Sequence, residues 1–360
     1  MDERISGAAE IAILHERLLS AYAFGREALA NEIAALARPY ADETGVGILN
    51  EAIAVIRGGS AAGRASARTL VYAGGDPSYA NVVGVDEDGL LHLEGMDGGI
   101  PTGAEAVIPS ASGKIPGVFV ERTEEESGTR SVVADIGAEN RAEALRHVSV
   151  GDPAIIFGKP EPTGIGDKIV APHVYGFGGK LILLQLLLSG ICTDLCGETT
   201  FVFPTGQTGG TQGFQAAVHG VCPDRVIVAG SVLAKSGWLP DNPADAGKRT
   251  APEIGGGAAL VLRGAYGVFD RDFTGRIEQI AAEQNIPFRI VAKVDRFPGL
   301  SGFHDAGIDA PAAGIALPVR YETGFAGIYA AGDVVAAARL IGAALKSAGG
   351  AGKERNGERS

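Results

Sequence analysis

Strand-like and helix-like segments alternate from Lys168 to the polar C-terminal tail, and this alternation restricts the fold more than any other feature of the sequence. The strand-like segments are TTFVFP, DRVIVAG, GAALVLR, FRIVAKV and AGIALPV, and the helix-like ones are GFQAAVHG, TGRIEQIAAEQN and the run after Gly332. Apolar strands that alternate with helices are typical of parallel sheets covered on both faces. The sequence therefore predicts an α/β fold: a three-layer α/β/α domain with a mixed, mostly parallel sheet.

A block of short strands interrupts this pattern between residues 77 and 164. Its apolar runs (NVVGVDEDGLLHLEG, AEAVIPS, GKIPGVFVE, SVVADIGA and PAIIFG) are separated by Gly, Pro and Asp. Short strands at regular intervals predict a small β-barrel or sandwich, and we expect an inserted β-barrel domain. Residues 1–76 and 165–349 would then form the α/β domain, with 350–360 a disordered tail.

Before this block, the chain begins with helical and strand-like segments. Residues 11–37 have helical periodicity with a break at Phe24 and Gly25, and Pro39 ends the helical pattern. Residues 48–56 and Thr69–Ala73 are strand-like. The N-terminal part is therefore expected to contribute both layers of the α/β domain.

The stretch from residue 166 to 190 resembles a ligand-binding strand end. It reads as a short buried strand at 168–171, a Gly-rich turn, and a helix that begins near Gly179. Ligands in open α/β sheets bind at such strand ends. The turn offers His173, Tyr175 and Phe177 but contains no carboxylate, and this absence bears directly on function.

Composition excludes several classes of partner. The net charge of −12 argues against nucleic acid and anionic membranes, which need a basic face. No apolar run reaches membrane-spanning length, and the acidic start MDERISGAAE does not resemble a secretory signal. Cys192, Cys196 and Cys222 are a sparse, odd set that indicates a reducing cytoplasm. Cys192 and Cys196 are a weak metal signal and are expected to be buried thiols.

Eight segments resemble the deblocking or glutamyl aminopeptidases, the TET-type, endoglucanase-like exopeptidases with two zinc ions. The segments lie, in order, at residues 24–44, 87–99, 113–119, 134–157, 223–230, 255–260, 276–290 and 314–321. The resemblance extends over residues 12–345. It implies the peptidase fold and a homo-oligomer built from dimers, up to a dodecamer.

The same resemblance implies that the zinc site of this family is missing. Such a site needs His and carboxylate ligands and a Glu as general base. The positions that carry them in the family read here as Gly74-Gly75-Asp76, Tyr175-Gly176-Phe177, Gly206-Gln207, Gly230 and Thr323. The flanking segments fix the register of each. We therefore expect no metal cofactor and no aminopeptidase activity.

Other residues could have replaced this chemistry. His304 and Asp305 stand in a loop that lies near the substrate in the family, and they are the best candidates for acid/base work. His173 could act as acid, base or single metal ligand, or could be a hydrogen-bonded strand-end residue. Tyr175 could bind a ligand or fill the place of the bridging carboxylate. The remaining histidines take surface-like positions and carry no functional prediction: His15, His92, His147 and His219.

A Gly-rich loop between a strand and a helix offers a ligand site. In FVFPTGQTGGTQGFQAAV, the N–H groups at the helix start favour an anion, and Gln207, Thr208 and Thr211 add neutral donors. The alternative is that acidic catalytic residues were replaced by small neutral ones once the metal was lost. Arg320 and Thr323 are further candidate ligand-binding residues.

Two hypotheses follow from these patterns. The first is a pseudoenzyme: a structural or regulatory subunit, or a small-molecule-binding protein, in a homo-oligomer or in a hetero-oligomer with another subunit. The second is a metal-independent hydrolase, such as a ring-opening amidohydrolase, that uses His173, Tyr175, His304 and Asp305. The discriminating feature is whether His304 and Tyr175 face one cavity.

Overall fold

The computed structural model describes residues 7–41, 47–49, 53–58, 67–75, 77, 79–95, 102–123, 130–195, 197–205, 212–235, 251–264, 267–294, 297, 307, 309–321 and 326–347. The α-helices are α1 Ala8–Tyr22, α2 Arg26–Ala37, α3 Arg141–Ala144, α4 Val174–Leu188, α5 Gln212–Val221, α6 Arg271–Glu283 and α7 Ala331–Ser347. Two 3₁₀ turns lie at Arg38–Tyr40 and Ile191–Asp194.

The strands are numbered in chain order. The first ten are β1 Gly47–Leu49, β2 Ile53–Gly58, β3 Thr69–Ala73, β4 Ala80–Val85, β5 Leu91–Glu94, β6 Glu105–Ser110, β7 Gly113–Thr123, β8 Arg130–Asp135, β9 Pro153–Ile156 and β10 Glu161–Pro162. The remaining nine are β11 Lys168–Pro172, β12 Thr199–Pro204, β13 Arg225–Leu233, β14 Ala258–Val261, β15 Arg263–Gly264, β16 Gly267–Val268, β17 Phe288–Val291, β18 Ala312–Val319 and β19 Ala326–Ala330.

The main sheet has eight strands in the order β1-β2-β12-β3-β13-β18-β14-β17. Its centre, from β12 to β18, is parallel, and β14 runs antiparallel to β18. Both faces are covered, because Val71 and Ala73 belong to one core cluster while Leu70 and Tyr72 belong to another. Alternate side chains of a strand point to opposite faces, so a strand buried on both sides is apolar throughout. The predicted α/β fold with a mixed sheet is confirmed.

The inserted domain is a closed six-stranded barrel in the order β4-β5-β8-β7-β6-β9. Its neighbouring strands pair antiparallel, and the first and last strands of the block, β4 and β9, pair with each other. The barrel has its own core, which includes Val82, Leu91, Phe119 and Ala134. This confirms the predicted small barrel, which lies between β3 and β11 in the chain.

Two strand predictions are corrected. Residues 48–56 form two strands, since β1 and β2 pair as an antiparallel hairpin around residues that lie outside the described ones. The strand at residues 168–171 is β11, and it is not part of the main sheet. It pairs antiparallel with β10 and β19 in a separate three-stranded sheet, because the chain returns from β18 alongside it.

Helix α4 begins at Val174, five residues before the predicted start near Gly179. The glycines that suggested a turn allow close packing instead. A Cβ on Gly178 would lie 2.0 Å from Ser231 Oγ, and one on Gly179 would lie 2.5 Å from the Ala229 carbonyl oxygen. Because α4 packs backbone to backbone on β13, only glycine is accommodated there. Among the described residues, no helix is both long and apolar enough to cross a membrane.

Candidate functional site at the end of strand β3

Three distant segments meet where β3 ends. The Gly74 N–H donates to the Ala229 carbonyl oxygen of β13 at 2.6 Å. Gly75 has a φ of +95°, and a Cβ at this position would lie 2.7 Å from the Tyr175 carbonyl oxygen in the first turn of α4. Glycine adopts such backbone angles without strain. The structure thus brings together three segments to which the resemblance assigned metal ligands.

The residue types at this junction do not suit a dinuclear zinc centre. Gly74 and Gly230 have no side-chain donor, and Tyr175 offers a phenol in place of a bridging carboxylate. Zinc sites in proteins are built from imidazole, thiolate and carboxylate ligands. In the described part of the chain, no group of three His, Cys, Asp or Glu residues is arranged to hold a metal ion. Asp76, Gly206, Gln207 and Thr323 lie outside the described residues.

A lysine that sequence reasoning did not single out lies at the same junction. Lys180 of α4 is completely buried, and its Nζ donates to the carbonyl oxygens of Gly75 at 2.5 Å and Gly176 at 3.2 Å. Lysine is almost never fully buried unless its ammonium is paired. The side-chain amine of Lys180 therefore lies beside the segments to which the resemblance assigns metal ligands. The sequence contained a feature that could have identified this residue: Lys180 is the one charged residue in the mostly apolar and Gly-rich α4.

His173 links the barrel to the α/β domain. Its Nε2 lies 2.7 Å from the Ile156 carbonyl oxygen of β9, and this oxygen can only accept, so Nε2 carries the proton. Its ring packs edge-on against Tyr22 and Phe177. Burial lowers the pKa of His173 to about 4, and the bond to Ile156 opposes the shift. These contacts are those of the hydrogen-bonded strand-end residue, the alternative to catalysis that the sequence left open.

Tyr175 and Arg320 lie at the same edge of the domain. Tyr175 is half-buried in the first turn of α4. Arg320 follows β18 directly, and its backbone pairs with Ile328 of β19. The Nε atom of Arg320 is buried and has no hydrogen-bond partner among the described residues. Arg320 therefore remains a candidate ligand-binding residue.

The other predicted site residues lie outside the described part of the chain. They are Gln207, Thr208, Thr211, His304, Asp305 and Thr323. Their roles stay predictions, as does the question of whether His304 and Tyr175 share a cavity.

His15 was predicted to be at a surface-like position, and this is wrong. It is fully buried, because it falls on the apolar face of α1 together with Ile11 and Leu18. Its Nδ1 lies 3.1 Å from the Tyr329 hydroxyl, and its ring meets Phe177 edge-on at 5.2 Å. Burial lowers the pKa of His15 to about 3, with a smaller contribution in the same direction from His173. Among the described residues, its Nε2 has no hydrogen-bond partner of good geometry, although the Pro172 backbone opposes the lowering of the pKa.

Asp333 is a further buried titratable group, away from the junction. It lies in the first turn of α7 and accepts the N–H groups of Gly255 and Gly257, each at 2.7 Å. Burial raises the pKa of Asp333 to about 6, although the two N–H groups lower it. Through these two hydrogen bonds the Asp333 carboxylate holds the turn before β14 against α7, which is a structural role.

Comparison with known proteins places this geometry in context. The TET aminopeptidase of the marine sediment archaeon Thaumarchaeota archaeon SCGC AB-539-E09 has the same fold, with a TM-score of 0.80 and 20% identity over 94% of this chain and 97% of that one. The TET1 peptidase of Pyrococcus horikoshii can assemble into a tetrahedron or a large octahedral shell. It matches with a TM-score of 0.73 and 19% identity over 89% of this chain and 94% of that one. At these identities the structures establish the fold alone.

Sequence comparison identifies the family. The protein named "Putative aminopeptidase" of Acetivibrio thermocellus is 25% identical over 304 residues, which is 82% of this chain and 84% of that protein. The sequence profile of the M42 glutamyl aminopeptidases matches residues 54–340, most of the chain. The order of segments along the sequence suggested the same family. The chain belongs to the M42 glutamyl aminopeptidase family.

Proposed function

We propose that this protein is a member of the M42 family without metallo-aminopeptidase activity, and that it acts as a structural or regulatory subunit of a cytoplasmic homo-oligomer. One observation supports the proposal: Gly74 bonds to Ala229, directly before Gly230, the adjoining Gly75 contacts Tyr175, and the amine of Lys180 lies beside them. The resemblance assigns metal ligands to the positions of Gly74, Tyr175 and Gly230. None of these residues supplies an imidazole or a carboxylate.

The chemistry of the family depends on what is missing at this junction. Two zinc ions, when bound, polarise the substrate carbonyl and lower the pKa of a bound water so that it can attack. Glycine cannot hold such an ion, and a lysine ammonium repels a divalent cation at short range. The described residues of this junction therefore offer neither the ligands nor the local charge that such a centre needs.

A protein can keep the assembly surfaces of its fold after it has lost the residues that catalyse a reaction. The Pyrococcus horikoshii TET1 peptidase assembles into closed shells. This chain has the complete fold of such subunits, including the inserted barrel. Loss of ligands with retention of the whole scaffold is what we expect when selection acts on assembly or on binding rather than on hydrolysis.

Metal content and peptidase activity test the first part of the proposal. Purified protein, incubated with zinc or cobalt and then desalted, should contain less than about 0.1 metal ion per chain by elemental analysis. Hydrolysis of aminoacyl substrates with added cobalt should equal the rate without enzyme, and TET1 peptidase serves as positive control. Two retained metals per chain with peptide hydrolysis would overturn the proposal. Amide hydrolysis that persists in a chelator would favour the metal-independent hydrolase.

Size measurement tests the second part. Multi-angle light scattering should give a mass that is a multiple of the chain mass, and a protein that remains a monomer at micromolar concentration would remove the assembly role. Co-purification of an equimolar second subunit would replace the homo-oligomer with a hetero-oligomer.

A further inference from the structure

We propose that Lys180 is the built-in cation of this junction: its ammonium joins the end of β3 to the first turn of α4, beside the positions to which the resemblance assigns metal ligands. The inference rests on the proposed function, since it uses the same correspondence of positions. It adds the identity of the group that replaces the metal and the role of its charge in stability.

The contacts of Nζ show what the ammonium connects. Gly75 and Gly176 are about a hundred residues apart in the chain, and Nζ donates to the carbonyl oxygens of both. Gly75 follows the position of a missing His ligand, and Gly176 follows the position of the missing bridging carboxylate. A buried carbonyl that loses its donor keeps the full cost of its desolvation. The ammonium thus satisfies acceptors on both sides of the junction.

The surrounding glycines make this arrangement possible. A Cβ on Gly179 would lie 2.7 Å from the Gly74 carbonyl oxygen, and one on Gly75 would lie 2.7 Å from the Tyr175 carbonyl oxygen. The backbones of β3 and α4 can therefore approach closely enough for one side chain to reach both. Long side chains in helices point back toward the N-terminus. Lys180 accordingly reaches Gly176, one turn earlier in α4.

The ammonium of Lys180 lies near the N-terminus of α4, where a positive charge is unfavourable. A helix N-terminus carries partial positive charge and favours anions, so an ammonium that points back to the first turn needs compensation. The carbonyl oxygens of Gly75 and Gly176 provide negative partial charge at this point. A neutral side chain of the same length would fill the space, but the Gly75 carbonyl oxygen would lose its ammonium donor and the Gly176 carbonyl oxygen would keep only its backbone N–H donor within α4.

Substitution of Lys180 by a neutral residue of similar length tests the proposal. Lys180→Met should lower the Tm by ~5 °C or more, because buried acceptors lose a charged donor. The matched control is Leu184→Met in the same helix, which is also fully buried. This control should change the Tm by less than about half as much, since volume-conserving apolar exchanges are well tolerated. Equal Tm values for Lys180→Met and the wild type would overturn the proposal.

Chemical rescue separates the charge from simple packing. Lys180→Ala removes a propylammonium-sized group, so n-propylammonium chloride should raise the Tm of this variant relative to equal potassium chloride, while propan-1-ol should not. Equal effects of the two additives would show that the space, and not the charge, matters, and would overturn the proposal. If Lys180→Ala does not fold, the comparison of Lys180→Met with Leu184→Met decides. Stoichiometric zinc in the wild type would refute the proposed function, whereas a stable Lys180→Met in a metal-free protein would refute only this inference.

Discussion

At the scale of single residues, the stability of this protein depends on buried polar groups that are hydrogen-bonded to the backbone or to another side chain. His15 and His173 lie in one aromatic cluster with Tyr22, Phe177 and Tyr329. Both imidazoles are held neutral, since burial lowers the pKa of His15 to about 3 and that of His173 to about 4. As the pH falls, these histidines lower the stability of the folded protein at a higher pH than the one at which ordinary carboxylates titrate.

The first prediction is an acid-dependent loss of stability that His15 causes in part. A histidine in the unfolded chain has a pKa of about 6.5. Below this pH, His15 and His173 bind protons in the unfolded chain but not in the folded chain, so the free energy of unfolding falls as the pH drops from about 6.5 toward about 4. Each histidine contributes up to about 1.4 kcal/mol per pH unit. His15→Gln should show a shallower fall of the unfolding free energy between pH 6.5 and 5 in urea titrations. The exposed His147→Gln is the control and should keep the wild-type slope.

The second prediction concerns Asp333, whose effect has the opposite sign. Its pKa is raised to about 6, so the folded chain binds more protons than the unfolded chain between pH 4 and 6. This residue therefore removes stability as the pH rises through that interval. Asp333→Asn abolishes the titration, yet it should cost about 1–3 kcal/mol at pH 7 because one of two buried N–H groups loses its acceptor. Urea unfolding at pH 4.5 and 7 measures both effects, and a variant as stable as the wild type at pH 7 would contradict the structural role.

At the scale of elements, α4 organises the molecule. It is apolar on all sides and almost entirely buried, as expected of a helix in the core of a large domain. Its first turns touch the end of β3, and its backbone lies directly on β13. Glycines that weaken an isolated helix therefore strengthen this one, since they permit the contact.

The third prediction compares two glycines in helices. Gly179→Ala should destabilise the protein by more than about 2 kcal/mol, because the new Cβ would meet the Ala229 and Gly74 carbonyl oxygens at 2.5 and 2.7 Å. Gly275→Ala in α6 is the matched control, since nothing lies within 4 Å of its Cβ position. It should stabilise by about 0.5–1 kcal/mol through helix propensity. Unfolding free energies of the two variants measure the difference, and a stabilising Gly179→Ala would show that α4 does not pack as described.

At the scale of the whole molecule, the barrel has a core of its own and also packs on the α/β domain, since Tyr79 and Ile155 belong to a core cluster of that domain. The barrel closes on itself through the pairing of β4 with β9, and its core is separate from those of the α/β domain. The hydrogen bond between His173 and the Ile156 carbonyl is one link between them. A closed barrel with its own core has no unpaired edge to protect.

The fourth prediction is that the fragment of residues 77–164 folds alone. A domain with its own core and closed hydrogen bonding should give a dispersed amide spectrum and a cooperative thermal transition. The remainder, with 77–164 replaced by a short Gly-Ser linker, should keep helical circular dichroism but a lower Tm, because His173 loses its acceptor. A fragment with the narrow spectrum of an unfolded chain would show that the barrel depends on the α/β domain.

Much of the fold could be predicted from local patterns. Thr69–Ala73 and Thr199–Pro204 are strands with the boundaries that the sequence indicated, and the break between α1 and α2 falls at the predicted Phe24 and Gly25. Here the local pattern and the tertiary environment agree. The start of α4 was missed because glycine can permit either a turn or a close approach, and only the neighbouring strand distinguishes the two.

The sequence predicted the position of the candidate site in the chain but not the contacts of its side chains. The order of segments located the junction and predicted that Gly74, Tyr175 and Gly230 stand at ligand positions, but it gave no role to Lys180 and wrongly placed His15 at the surface. Both errors concern side chains whose partners lie far away in sequence: Gly75 and Gly176 for Lys180, and Tyr329 for His15. Hydrophobic periodicity does not encode such partners.

The sequence by itself determined the layers of this protein, because strand and helix periods and the burial of both strand faces are local properties of the chain. It also determined which donors are absent from the junction, since glycine has no side chain in any fold. Only the tertiary structure decided what stands there instead. The ammonium of Lys180 acquires its role from two carbonyl oxygens that the fold brings together from distant parts of the chain, and a contact of that kind exists only after the chain has folded.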